Sequence, residues 1–256
     1  MEKEKLLKAQ NLSYNCAVEI AKEIRDGWTE KQTAKLMDTY LKDHGIKTFF
    51  HTSFAWFGPR SAFYGIKHYL DFLPKKQVYQ DGDVVILDTA PIVDGYIGDI
   101  GFTFSKVPNE ELKKAREFLV KIRTMIRSSF LEKKPTSIVW QDVDKMIAEH
   151  SYTNCYERYP FSVLGHRVGK AKAHNWNSFA FGFGIQAYLT TLAGGIKESL
   201  LTKNHASKPV GAWAIEPHIG LKDFGAKFEE ILLVTEDSVE WLTDEVPHLN
   251  LPQGLY

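Results

Sequence analysis

Four carboxylates and one imidazole stand where a folded chain should place apolar side chains: Asp88, Asp99, His166, Glu216 and Glu229. Asp88 closes the apolar run Val84, Val85, Ile86, Leu87, and Asp99 follows the β-like pair Tyr96 and Ile97. Glu216 ends Ala212, Trp213, Ala214, Ile215 just before Pro217, and Glu229 precedes Ile231, Leu232, Leu233, Val234. His166 sits in Gly-His-x-x-Gly, whose glycines let the backbone approach a neighbour closely. A carboxylate on a buried strand is costly unless positive charge meets it. Two that face each other raise each other's pKa unless a metal ion keeps both ionised. Hard oxygen donors with a single imidazole suit Mn, Fe, Co or Zn in a two-metal site better than a structural zinc, which takes Cys and His. Read singly, three of them have a plainer alternative, a turn Asp at 88, a solvated strand Asp at 99 and a structural His at 166, and Glu216 and Glu229 are weak signals alone.

The stretch that must position the first two is GDVVILDTAPIVDGYIGDIGFTF, residues 82–104. Two β-rich runs joined by Pro91, Asp94 and Gly95 predict adjacent antiparallel strands, with Asp88 ending the first and Asp99 on its neighbour. Ahead of it, residues 1–26 carry apolar positions at helical spacing and stop at Asp26-Gly27. Thr29 with Gln32 forms a capping-box pattern that opens a second helix ending near His44-Gly45. This pair is expected to be a covering layer and not part of a site. Residues 46–57 turn β-like and aromatic, and a loop with Gly58, Pro59, Arg60, His68 and Tyr69 follows. Pro108 and Asn109 start a long helix reaching Phe130, and another runs from about Ser137 to His150. Late β-like segments span 210–219 and 226–235. Without regular βαβ alternation the fold class is α+β, an antiparallel or mixed sheet backed by helices on one face.

The 256 residues, 44% of them apolar, can bury a substantial core. Equal numbers of basic and acidic residues, 32 each, give zero formal charge and argue against nucleic acid as a main partner. Two cysteines, Cys16 and Cys155, make no disulfide framework and lack metal spacing, so a reducing cytoplasm is the expected location. MEKEKLLKAQ is too charged for a secretory signal. Residues 175–196 contain no Asp, Glu, Lys or Arg, but Asn, Gln, Thr and Gly make the stretch a poor membrane span.

Taken in order, Asp88, Asp99, His166, Glu216 and Glu229 resemble the five-ligand signature of the pita-bread (creatinase/aminopeptidase fold) metallopeptidases, which include methionine aminopeptidases, Xaa-Pro aminopeptidases and prolidases. The matching segments are ILDTAPIVDGYIGDIGFTF, LGHRVG, AIEPHIG and AKFEEILLVTEDSVEWLT, with GWTEKQTAKLMDTYLKDHG and FGPRSAF earlier. The resemblance implies a pita-bread fold with a curved sheet and two divalent metal ions (Mn, Co, Fe or Zn); residues 1–256 are expected to form a single catalytic domain without the separate N-terminal domain usual in the Xaa-Pro branch, the format of a small methionine aminopeptidase. Asp88 would chelate one metal, His166 and Glu216 the other, and Asp99 and Glu229 would bridge them. Glu230 would lie behind the bridging position or be exposed. The implied chemistry is hydrolysis by a hydroxide between the metals, with Glu216 moving the proton and His174 and His68 holding the substrate and the tetrahedral intermediate.

The Trp-Thr-Glu opening of the second helix, FGPRSAF and His68-Tyr69 resemble the Xaa-Pro branch, and Lys227 stands where that branch usually carries Arg. His174 follows the metal histidine by one residue more than the family pattern leads one to expect. An Xaa-Pro aminopeptidase is the leading expectation, with a peptide or small molecule as substrate. A methionine aminopeptidase, and a non-peptidase enzyme or binding protein on the same scaffold, remain as alternatives, and a homodimer stays open. The aromatic stretch with Trp176, Phe179, Phe181, Phe183 and Tyr188 reads either as core or dimer contact, or as a pocket wall.

Overall fold

The computed structural model describes residues 2–171, 179–180 and 183–256. The two opening helices form as expected, α1 (Glu2–Glu23) and α2 (Glu30–Asp43). The capping box at the start of α2 is complete: Thr29 Oγ1 accepts from Gln32 N at 3.2 Å, and Gln32 Oε1 accepts from Thr29 N at 2.9 Å. Both helices pack on a sheet whose centre is β1 (Phe49–Phe57) against β2 (Val85–Val93). The far edge of β2 is shared by β3 (Tyr96–Ile97) and β4 (Ile100–Phe104).

One expected boundary changes. β2 does not stop at Asp88 but continues through Pro91 to Val93, so Asp88 is a mid-strand residue. Proline is tolerated there because its position faces a register shift in β1, between Phe49 and His51, and its carbonyl still accepts from Gly98 N at 2.9 Å. Asp99 lies in the break between β3 and β4.

The second half repeats the plan. α3 (Glu110–Leu131), capped by Asn109 accepting from Leu112 N at 2.9 Å, and α4 (Thr136–Glu149) cover the remaining strands. After β5 (Thr153–Asn154) come β6 (Gly165–Val168), β7 (Phe179–Ala180) and β8 (Phe183–Gly184). β7 and β8 extend the first sheet from β1. Then α5 (Ile185–Gly194) and α6 (Ile196–Ser199) lead to β9 (Leu200–Leu201), β10 (Gly211–Ile215), β11 (His218–Gly220), β12 (Gly225–Lys227), β13 (Glu230–Val234) and β14 (Val239–Trp241). The second sheet has the order β14-β13-β10-β6-β9, and β12-β11-β5 forms a small third one. Every pair of named strands among the described residues is antiparallel. The fold is the expected α+β pita-bread arrangement, a curved sheet backed by helices. Gly101 and Glu229 exchange backbone hydrogen bonds at 3.3 and 3.0 Å, which joins the halves where the candidate ligands lie.

Strand periodicity decides which side chains meet the helices. On the first sheet Phe57, Val85, Leu87, Phe102 and Phe104 pack under α1 and α2, while Phe54, Trp56 and Ile86 face the opposite side. On the second sheet Trp213, Ile215, Leu232 and Val234 pack under α3 and α4. The polar residues of interest occupy the concave side that the helices leave open. The opening helix is the expected covering layer, and from the helix side it also holds the backbone next to the candidate ligands. Ser13 Oγ donates to Gly98 O at 2.6 Å and Tyr14 Oη donates to Glu229 O at 2.6 Å, bracing the backbone on either side of the cluster.

Candidate metal centre

Four of the five expected ligands are tightly grouped, and the fifth lies against the same group. Asp99 is fully buried, and its two oxygens meet two different imidazoles. Oδ1 lies 3.0 Å from His51 Nε2, and Oδ2 lies 3.1 Å from His166 Nε2. His51 Nε2 is also 3.5 Å from Asp88 Oδ1, and His166 Nε2 is 3.8 Å from Glu229 Oε1. Among the described residues two three-residue groupings thus have the spacing of cation ligands: His51, Asp88, Asp99 and Asp99, His166, Glu229. Asp99 belongs to both, as a bridging carboxylate would.

The remaining carboxylate oxygens converge on an ammonium. Lys227 Nζ donates to Asp88 Oδ2 at 2.7 Å, Glu229 Oε2 at 2.9 Å and Glu216 Oε2 at 3.1 Å. The side chain is wholly buried and gets there by passing Gly101, where a Cβ would lie 2.7 Å from Lys227 Cε. Burial alone would lower the Lys227 pKa, but Asp88, Glu229, Tyr159 and Glu216 around it raise it well above its ordinary value. Glu216 meets Lys227 and lies outside both groupings.

Whether these residues suit a cation can be judged from their loose ends. Asp88 Oδ1 and Asp99 Oδ2 are buried; they lie 3.5 Å from His51 Nε2 and 3.1 Å from His166 Nε2, and among the described residues neither has a contact with full hydrogen-bond geometry. Unpartnered carboxylate oxygens in an apolar interior carry a desolvation cost of a few kcal/mol each, roughly 1–3 or more, and native proteins seldom leave one without a reason. A divalent cation is such a reason, and nitrogen and oxygen donors from His, Asp and Glu are what Mn, Fe, Co and Zn accept. The residues fit the group. They fit it alongside a lysine that already neutralises one corner of the cluster.

The electrostatics follow from burial and proximity. Burial and the nearby Asp99 push Glu229 well above the usual carboxylate range, with Lys227 opposing. Burial also raises Glu216, again against Lys227 and His166. Burial would raise Asp99 too, yet the flanking His51 and His166 hold it below its ordinary value. Burial would lower both imidazoles, but Asp99 raises each, and His51 reaches about 9.

A cavity of about 640 Å³ opens onto this cluster, and Asp88, Glu216, Glu229, His51 and His166 form its polar end. Its other walls are apolar and mostly aromatic: Phe50, Phe54, Trp56, Phe72, Tyr159, Phe183 and Tyr188, with Leu192 and Ile196 near the mouth. Phe183 and Tyr188 belong to the uncharged stretch whose role was open, and both line the cavity. Trp176 and Phe181 lie outside the described residues, as does the expected substrate contact His174. His68 is not brought to the cluster. It is exposed, and its backbone N–H donates to Asp71 Oδ2 at 3.1 Å. Glu230 is fully buried on the opposite side of the strand, where Arg123 Nε and Nη2 donate to it at 2.8 and 2.9 Å.

Sequence reasoning missed His51. It sits among Phe49, Phe50, Phe54 and Trp56, a polar residue inside an aromatic strand, which is the signal that singled out Asp88.

The fold and the site together define a metallopeptidase class, and the comparisons with known proteins name it. A family model described as metallopeptidase family M24 matches residues 4–236. The chain belongs to metallopeptidase family M24. Among solved structures it is similar to an X-Pro aminopeptidase from Thermotoga maritima MSB8 (TM-score 0.68, 20% identity, 98% of this chain and 61% of that one). It is similar also to the prolidase from Pyrococcus horikoshii OT3 (0.67, 21%, 94% and 61%) and to an Xaa-Pro dipeptidase from Bacillus anthracis (0.65, 18%, 98% and 61%). The chain therefore spans about 61% of the length of these neighbours. No curated protein sequence matches it. No described helix is long and apolar enough to cross a membrane.

Proposed function

We propose that the protein is a dinuclear-metal hydrolase, an aminopeptidase that removes an N-terminal residue from peptides of the Xaa-Pro kind. The observation that carries this reading is the buried Asp99, whose two oxygens face two histidines at 3.0 and 3.1 Å and which belongs to both groupings with the spacing of cation ligands. The Xaa-Pro preference is supported by FGPRSAF and by the solved neighbours, which are named as X-Pro aminopeptidase, prolidase and Xaa-Pro dipeptidase.

When bound, two divalent cations would supply Lewis acidity near neutral pH. Asp88, Asp99, His166, Glu216 and Glu229 would hold them. Glu216, whose affinity for protons is raised by burial and which lies at the polar end of the cavity, takes the proton of the attacking water and passes it to the leaving amine. Lys227 positions Glu216 by the same hydrogen bonds that fix Asp88 and Glu229. The aromatic walls exclude bulk water and receive the apolar part of the substrate.

A second reading has its own observation. Lys227 Nζ donates to three of the four carboxylates, so the site carries part of its counter-charge covalently. This favours a small-molecule enzyme or binding protein on the same scaffold that needs no metal. One experiment separates the two: metal analysis of the purified protein, with cleavage of an Xaa-Pro and a Met-Ala peptide by wild type and Asp99→Ala. Bound metal and Xaa-Pro cleavage, both lost in Asp99→Ala, support the peptidase. Cleavage of Met-Ala alone moves the protein to the methionine branch. A metal-free, inert protein with its fold intact favours the second reading.

A further inference from the structure

We propose that His51 is a metal ligand of this protein, so that each of two cations carries one imidazole and Asp99 spans between them through its two oxygens. This rests on the dinuclear reading above but departs from the ligand assignment the sequence implies, in which one histidine, His166, serves the whole site.

Two histidines on different strands correspond closely. His166 projects from β6, and its Nδ1 donates to the carbonyl of the next residue, Arg167, at 3.2 Å. His51 projects from β1, and its Nδ1 donates to the carbonyl of the next residue, Thr52, at 2.8 Å. In each ring the carbonyl fixes the tautomer and leaves Nε2 as the donor atom toward the acids, the device that orients metal-binding histidines. The two Nε2 atoms lie almost equally far from Asp99, 3.0 Å from Oδ1 and 3.1 Å from Oδ2. Each grouping is completed by one further carboxylate, Asp88 for His51 and Glu229 for His166.

The backbone shows how His51 reaches this place. Regular alternation would put residue 51 on the face of Phe49, under the helices. β1 has register shifts on both sides of His51, and the irregularity turns the ring toward the cavity with Phe50 and Phe54. Inside the pocket His51 is 6% exposed, and Phe54 and Phe183 pack against it at 5.2 and 5.9 Å between ring centroids. The ring is therefore oriented before any cation arrives.

The test uses the whole protein, stripped with chelator and reloaded with Co(II). Proton NMR of the loaded protein counts coordinated imidazoles directly, since each gives a paramagnetically shifted, exchangeable Nδ1–H resonance. Wild type should take up two equivalents and show two such resonances. His51→Ala should keep one resonance and lose affinity for one equivalent by about 100-fold or more, beyond the 10–100-fold typical of outer partners. Two bound cobalt ions with only one imidazole resonance in wild type, or titrations and spectra alike in His51→Ala and wild type, overturn the assignment while leaving the dinuclear reading intact. Wild type that binds no Co(II) overturns both. The wild-type spectrum decides the matter even where the variant does not fold, and His51→Gln provides a variant of closer size.

Discussion

Gly101 stands directly opposite Asp88 across the β2–β4 pair, and a Cβ on it would lie 2.7 Å from Cε of Lys227. The lysine reaches the carboxylates only because residue 101 has no side chain. A buried ammonium in contact with Asp88, Glu216 and Glu229 therefore depends on the missing side chain of Gly101.

Replacing the ammonium tests its hold on the acids. Lys227→Met leaves three buried carboxylates without their shared donor, a loss that costs about 3–5 kcal/mol when one partner of a buried pair is removed. Urea denaturation in EDTA should show a drop of that order. A change below about 1 kcal/mol would mean that the acids are held apart by something other than Lys227.

Adjacent glutamates should behave as opposites. Glu229 faces the cavity end, whereas Glu230 sits on the helix side with Leu232 and Val234 and is held by Arg123 of α3. Glu230→Gln is expected to lose about 3 kcal/mol of stability yet take up metal normally. Glu229→Gln is expected to lose metal uptake. Equal metal content in the two variants would contradict the placement.

Much of this was legible from residue types, and the rest was hidden by backbone irregularity. Asp88, Asp99, Glu216 and Glu229 could be found because an acid within an apolar run needs an explanation, and the capping box of Thr29 and Gln32 could be read because its geometry is local. The extent of β2 is not legible because Pro91 signals a turn, and only the shifted register of β1 allows it inside a strand. His51 was hidden by the same irregularity, since period-two counting assigns it to the wrong face. Lys227 was placed near the ligands only by the family resemblance, and its position at the meeting point of three acids depends on the absent side chain of Gly101, a contact between distant strands.

Acid should weaken the fold through His218. Its Nε2–H donates to Ser61 O at 2.7 Å and its Nδ1 accepts from the Tyr159 hydroxyl at 3.1 Å, so the folded ring is neutral. Burial, and then the charge of Lys227, push its pKa from 6.5 to about 3. Below pH 6.5 the unfolded chain binds a proton that the folded chain refuses, so this contribution to stability is lost as pH falls from 6.5 toward 3. At pH 5 the loss amounts to about 2 kcal/mol. Urea midpoints at pH 7 and pH 5 should differ more in wild type than in His218→Gln, which keeps a donor for Ser61 and does not titrate. Identical pH dependence in the two would remove His218 as the source.

The cavity wall makes a prediction about substrate. Leu192 lines the apolar cavity while remaining largely exposed, so replacing it should disturb binding without disturbing the core. Burying a leucine-sized apolar contact is worth about 1.5 kcal/mol or more, close to a tenfold change in affinity. Leu192→Asp should therefore raise KM about tenfold for a Phe-Pro peptide and far less for a Gly-Pro peptide, whose first residue offers no apolar surface. The turnover number should stay the same for both, since the ligands and Glu216 are untouched. A uniform rise in KM, or a fall in kcat with KM unchanged, would show that the aromatic cavity does not receive the N-terminal side chain.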